Sequence, residues 1–171
     1  MKKLLVLFVI LTLFLSGCGI YNISSFVLPD DSEFIALIEE LDTPYKICEY
    51  IQDNFTYEEH VYTLLTPYQL YTRKNGDCDD CSNFAVFIAN YHGYETYQIA
   101  IYFLGDKYKH FVAVYKEEKY SFSDNGDYFT GKYNYNSFLE IVNYECYLRD
   151  KTWIKYIVYD YDMNIVESNV Q

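Results

Sequence analysis

The sequence predicts an α+β fold, and three observations carry that expectation. Apolar residues recur at helical spacing through the first half of the 171-residue chain. One segment, 78–92, is apolar nearly all round. After Gly93 the pattern changes to stretches rich in β-branched and aromatic residues. Helices followed by strands favour helices gathered against an antiparallel sheet over alternating β and α units. A helix apolar on most sides belongs in the middle of the structure. The expected arrangement is N-terminal helices with a buried central helix packed on an antiparallel β-sheet.

Each element has its own signal. Lys2 and Lys3 precede an apolar run from Leu4 to Leu15, too short to cross a bilayer as a helix but suited to a secretory signal. Residues 19–30 hold Pro29 and no periodicity, and read as a tether. Asp31-Ser32 offers an N-cap, followed by Phe34, Leu37, Ile38 and Leu41 at helical spacing. Thr43-Pro44 is a cap followed by proline at the first helical position, ahead of Ile47, Tyr50 and Ile51. Residues 55–66 read as irregular. Thr66-Pro67 opens a short helix expected to end near Asn75-Gly76. In the central helix 78–92, only Asp79, Asn83 and Asn90 form a polar stripe. Strands are expected at 95–104, 110–116, 119–124, 153–160 and 164–168, with a helix at 136–145. No repeat or linker splits the chain, so the expected divisions are a signal at 1–17, a tether at 18–30 and one domain at 31–171.

Composition narrows the function. The chain is 51% hydrophobic and 20% aromatic, which supports a packed core rather than disorder. Its formal charge is −12. That acidity argues against nucleic acid and against a polybasic membrane patch as partner. Five cysteines are too few for a disulfide-stapled miniprotein. Leu15-Ser16-Gly17-Cys18 closes the signal and resembles the bacterial lipobox. This implies cleavage before Cys18, diacylglycerol and palmitate on that residue, and a lipid-anchored protein on the extracytoplasmic face of a bacterial cell membrane. Each buried methylene of such an anchor contributes about 0.8 kcal/mol.

Chemistry concentrates at Asn75-Gly76-Asp77-Cys78-Asp79-Asp80. A cysteine at a helix start lies near unpaired N–H groups and the positive end of the helix dipole, which favours the thiolate. A nucleophilic thiol then needs a base, and the base needs an orienting group. Three histidines are present. His60 lies in an irregular region, and His92 sits at a helix C-terminus, where an imidazole meets orphan carbonyls. His110 opens the strand His110–Tyr115. A three-residue turn at Lys116-Glu117-Glu118 would set Val114 against Tyr120, Val112 against Phe122 and His110 against Asp124. All six then share one face, apolar except for its last pair. The central helix is the expected partner of that face, which would bring His110 and Asp124 toward Cys78. Asp127, three residues beyond Asp124 and expected in the following turn, is the competing acid.

Gly76-Asp77-Cys78-Asp79-Asp80, with Ser82, an apolar helix and Gly93, resembles the core of the transglutaminase-like superfamily of cysteine enzymes. His110 opening one strand and Asp124 closing the next match its remaining catalytic signatures. Within the superfamily, the chain most resembles the bacterial transglutaminase-like cysteine peptidases over about residues 45–125. The resemblance implies a papain-like core and acyl transfer through a thioester on Cys78, with His110 as base and Asp124 as its orienting acid. It departs from the pattern at two positions. Leu64 stands three positions before Pro67, where many relatives carry an aromatic residue, and Cys81 follows the nucleophile by three. Cys81 is therefore a rival nucleophile, and Cys78-Asp79-Asp80-Cys81 also reads as a C-x-x-C redox motif.

No cofactor is required by this reading. Asp77, Asp79 and Asp80 are expected to cap the helix, with calcium as the alternative that clustered carboxylates and the resemblance support. Gln69 and Tyr62 are candidates for the second oxyanion donor. Cys48 and Cys146 are either buried thiols or a disulfide. The expected partner is a protein or peptide substrate, and the expected state a monomer. Three functions stay open: hydrolysis of peptide or amide bonds, protein cross-linking by an amine acceptor, and a non-catalytic binding lipoprotein of the same fold.

Overall fold

The computed structural model describes residues 26–60, 64–129 and 134–171. Cys18 and Tyr62 lie outside them. Two helices open the fold, α1 (Ser32–Glu40) capped by Asp31 and α2 (Pro44–Asn54) capped by Thr43. In each, the cap side chain accepts backbone N–H groups that the first turn leaves unpaired. A short α3 (Pro67–Arg73) follows. It ends one residue before the expected stop, on Lys74 in the left-handed conformation. Asn75–Gly76 is instead β2, which pairs in parallel with β1 (Thr56–Tyr57). The region 55–66 is therefore not wholly irregular.

The central helix is α4 (Cys78–Tyr91). Asn83 is fully buried within it and donates to the Leu65 carbonyl at 3.0 Å, so the expected wet stripe is broken at its middle. Downstream come β3 (Glu95–Phe103), β4 (His110–Lys116), β5 (Tyr120–Asp124) and β6 (Asp127–Phe129), then α5 (Phe138–Arg149), β7 (Trp153–Asp160) and β8 (Ile165–Val170). The six strands from β3 onward form one antiparallel sheet in the order β6-β5-β4-β3-β7-β8. The short strand β6 was not foreseen, and α5 runs one turn past its expected end. Among the described residues, no helix is long and apolar enough to cross a membrane.

The sheet is covered on both faces. Ala113 and Tyr115 pack with Phe84, Ala85, Ile88 and Ala89 of α4, beneath α1–α3. Val112, Val114 and Phe122 pack instead with Phe138, Ile141 and Val142 of α5. The apolar face that carries His110 thus meets α5, not α4 as expected. Side-chain size explains the choice. Ala100 and Ala113, with Ala85 and Ala89 on the helix, let backbones approach closely. Ser121 and Ser123 on the α4 face are buried but satisfied, Ser123 by the Tyr115 hydroxyl at 2.8 Å and Ser121 by Glu117 at 3.0 Å.

Register also differs. Val114 pairs with Phe122 and Lys116 with Tyr120, a shift of two residues from the expected pairing. A shift of two preserves the faces, because side chains alternate with period two. His110 and Asp124 therefore stay on one side of the sheet, as diagonal rather than opposed neighbours.

Candidate active site

Two turns of chain set the position of Cys78. The β1–β2 pairing is fixed by Thr56 N–H to Lys74 O and Glu58 N–H to Gly76 O, both 2.9 Å. It ends at Gly76, with only the cap residue Asp77 before the first residue of α4. Asp77 and Asp80 then form a capping box. The Asp77 side chain accepts the Asp79 N–H at 3.3 Å, and Asp80 Oδ2 accepts the Asp77 N–H at 3.2 Å. Asp80 is fully engaged, since it also accepts the Leu65 N–H at 2.7 Å and meets His60 Nε2 at 2.6 Å. Gly76 is demanded by this packing. A Cβ there would stand 2.7 Å from both Asp80 Oδ2 and Leu70 Cδ1.

Cys78 is partly exposed and borders a cleft of about 400 Å³ that His110, Arg149 and Tyr57 also line. It packs with Phe111, whose backbone N–H, the amide that follows His110, favours the thiolate. α4 and the His110 side chain lie on opposite faces of the sheet, so Cys78 and His110 approach only here, where β4 begins. Burial pushes the Cys78 thiol up to about 12, aided by the charges of Asp77, Asp79 and Asp124 and opposed by the Phe111 N–H. The expected helix-start stabilisation of the thiolate is thus outweighed in the resting site. Cys81 is buried in the core under α1–α3, and burial raises its thiol further. It has no place at the cleft.

His110 Nε2 lies 3.0 Å from Asp124 Oδ1. This is an ion-pair contact, and Oδ1 has no other partner among the described residues. Arg149, at the end of α5, explains the geometry. Its guanidinium contacts Asp124 Oδ2, donates to Glu145 at 2.9 Å, and lies 2.8 Å from His110 Nε2. Glu145 is fully buried. Burial raises the Asp124 carboxyl, but His110 and Arg149 together outweigh it and hold the group below the ordinary range. For Glu145 burial wins, with Asp124 adding to it, and the carboxyl is raised. Arg149 and Glu145 escaped sequence reasoning. The i, i+4 spacing of the pair was visible, yet nothing in the sequence placed α5 against β4.

The remaining candidates divide clearly. Asp127 opens β6 rather than sitting in the turn, and accepts from Gln52 on the surface at 3.4 Å. His92 Nε2 meets the Ile38 carbonyl at 2.7 Å, at the end of α1. Gln69 is spent on its own capping box with Thr66 and is absent from the cleft lining. Tyr57, which sequence reading passed over, borders the cleft instead. Burial, with the nearby Cys78 and Asp77, pushes its hydroxyl up to about 12. Cys48 and Cys146 are free thiols, Cys48 buried beside the Tyr115 hydroxyl at 3.8 Å. Asp79 carries a buried oxygen without a hydrogen-bond partner among the described residues, and burial beside Asp77 raises its carboxyl to about 8.

Solved structures of Legionella pneumophila LapG are similar to this chain at low identity. The calcium-bound form is 15% identical, with a TM-score of 0.49 over 78% of each chain. The EGTA-treated form is 15% identical, with a TM-score of 0.48 over 71% of this chain and 68% of that one. No curated protein sequence matches. The family model for the transglutaminase-like superfamily matches residues 37–156, from α1 through β7, and the chain belongs to that superfamily.

Proposed function

We propose that the protein is a cysteine hydrolase of peptide or amide bonds, exported and held at the extracytoplasmic membrane face by a lipid on Cys18. The observation that supports it is that Cys78 and His110 line the same cleft, with the Phe111 N–H favouring the Cys78 thiolate. Cys78 is the nucleophile, His110 the base and Asp124 its orienting acid. The contacts of His110 with Asp124 and Arg149 all use Nε2, which in this reading leaves Nδ1 for the thiol.

The raised thiol holds its proton at rest, so proton transfer accompanies attack rather than preceding it. Sγ bonds to the carbonyl carbon as its proton passes to His110. The developing oxyanion is met by the Cys78 N–H, which the helix leaves unpaired, and by the Tyr57 hydroxyl. Collapse breaks the bond to the amine, which leaves with the proton from His110. Water then attacks the thioester, gives its proton to His110, and releases the acid and the thiol. An amine in place of water would give cross-linking by the same steps.

Calcium is not required by these steps. His60, Asp77 and Asp80 offer ligand atoms within 4.8 Å of one another, so these residues could hold a cation, whose charge near Cys78 would favour the thiolate.

The deciding experiment is reaction with iodoacetamide, mapped by mass spectrometry, alongside hydrolysis assays of a peptide library. Cys78 should label ahead of the buried Cys48 and Cys81, and Cys78→Ala should abolish turnover with the fold intact. Turnover retained by Cys78→Ala defeats the assignment.

A further inference from the structure

We infer that the cleft takes an acidic peptide segment, whose carboxylates are read by Lys107 and Lys109. The inference rests on the cleft being the substrate site. The chain carries only 13 Lys and Arg against 25 Asp and Glu. Four of those cations line this one cleft: Lys107, Lys109, Arg149 and Lys151, against the two carboxylates Glu59 and Asp106.

Two of the four are neutralised in place. Lys151 pairs with Asp106 at 2.5 Å, and Arg149 is held by Asp124 and Glu145. Lys107 and Lys109 differ. Both are exposed, and among the described residues neither has a carboxylate within 4 Å. Their nearest aromatic neighbours are Tyr108 and Phe111, with ring centroids 4.8 and 4.7 Å from the ammonium nitrogens. Cation–π contact leaves the charge available to an anion.

Their position fixes what they read. Both lie in the β3–β4 connection that runs directly into His110. Three residues of chain span at most about 11 Å. The charges therefore stand beside the scissile bond rather than on a remote surface, and meet substrate side chains within about three residues of it. On a protein of formal charge −12, long-range repulsion disfavours acidic polymers in general. Two ammonium groups at the cleft, which Glu59 and Asp79 reach only at longer range, favour one whose acidic residues fall at the right spacing, so selectivity follows placement.

The test uses three iodoacetyl-capped peptides of equal length, differing only in a pair of Glu, Gln or Lys residues two positions from the cap. Each rate of Cys78 alkylation is divided by the rate with a neutral model thiol. At 0.1 M salt the Glu peptide should exceed the Lys peptide by about tenfold. The ratio should fall toward one in 1 M salt, where screening shortens to about 3 Å. Lys107→Gln with Lys109→Gln should abolish the preference once each peptide rate is divided by the same variant's rate with iodoacetamide. A ratio of one or less at 0.1 M salt overturns the inference, as does a preference that survives both substitutions. If no reagent labels Cys78, the nucleophile assignment fails instead. Calorimetric binding of the uncapped peptides to Cys78→Ala then decides the charge question: selectivity for Glu sustains it, and equal binding refutes it.

Discussion

His110 meets Asp124 diagonally across β4 and β5, with Nε2 3.0 Å from Oδ1. Asp124 is the last residue of β5, and His110 is the first of β4. The carboxylate thus reaches the imidazole at the open end of the sheet, where the cleft begins. Asp124→Ala should lower turnover by about 10²–10⁴, and less than Cys78→Ala, because an unoriented imidazole still accepts a proton. Asp127→Ala should leave turnover within twofold, since its carboxylate serves only Gln52 at the surface. Steady-state kinetics of the two variants check both statements.

Thiol reactivity gives a second prediction. The Cys78 thiol is raised to about 12 by burial first and then by Asp77, Asp79 and Asp124. Labelling by iodoacetamide should therefore climb with pH from 6 to 9 without a plateau. Asp79→Asn removes one opposing charge and should speed labelling at pH 8.5 by several fold. A plateau below pH 7 would show a preformed thiolate and overturn the concerted proton transfer.

Asp79 also bears on stability. Its folded carboxyl is raised to about 8 from an ordinary 3.8, by burial and then by Asp77. A raised acid keeps its proton in the folded state while the unfolded chain loses it. The cost is absent below about pH 4, grows as pH rises, and levels off near pH 8. Asp79→Asn keeps a donor toward Asp77 and removes the titration. It should raise Tm by a few degrees at pH 8 and by nothing at pH 3.5, as calorimetric scans at the two values would show.

Local signals read well from the sequence because they act over a few residues. The Asp31, Thr43 and Thr66 caps and the start of α4 at Cys78 follow from side chains bonding backbone within three positions. The shared face of His110 and Asp124 survived an error of two in register, since only an odd shift changes faces. What failed was long-range. Apolar character marked Val112, Val114 and Phe122 as a buried face, but could not say which helix covers it. The small residues Ala100, Ala113, Ala85 and Ala89 carried that information, as the seam where α4 lies close. Tyr57 reaches the cleft through a two-residue parallel pairing too short to announce itself. Arg149 and Glu145 enter the site through the packing of α5, which no local pattern encodes.

That packing leads to the last prediction. Arg149 binds Asp124 and Glu145 at once, and Glu145 is fully buried. Removing one partner of a buried ion pair leaves an uncompensated charge, at a cost of about 3–5 kcal/mol. Arg149→Met should therefore destabilise strongly and also release Asp124, lowering turnover. Glu145→Gln alone should cost less, because the Glu145 carboxyl is already raised toward its neutral form. In the double variant the stranded carboxylate is gone, so stability should recover by about 1–3 kcal/mol relative to Arg149→Met. Turnover should not recover with it, since Asp124 and His110 still lack the guanidinium between them. Denaturant unfolding of the four proteins, with kinetics on each, separates the two roles. Additive stabilities would show that Arg149 and Glu145 do not couple, and recovered turnover would show that Arg149 acts only as a structural tie.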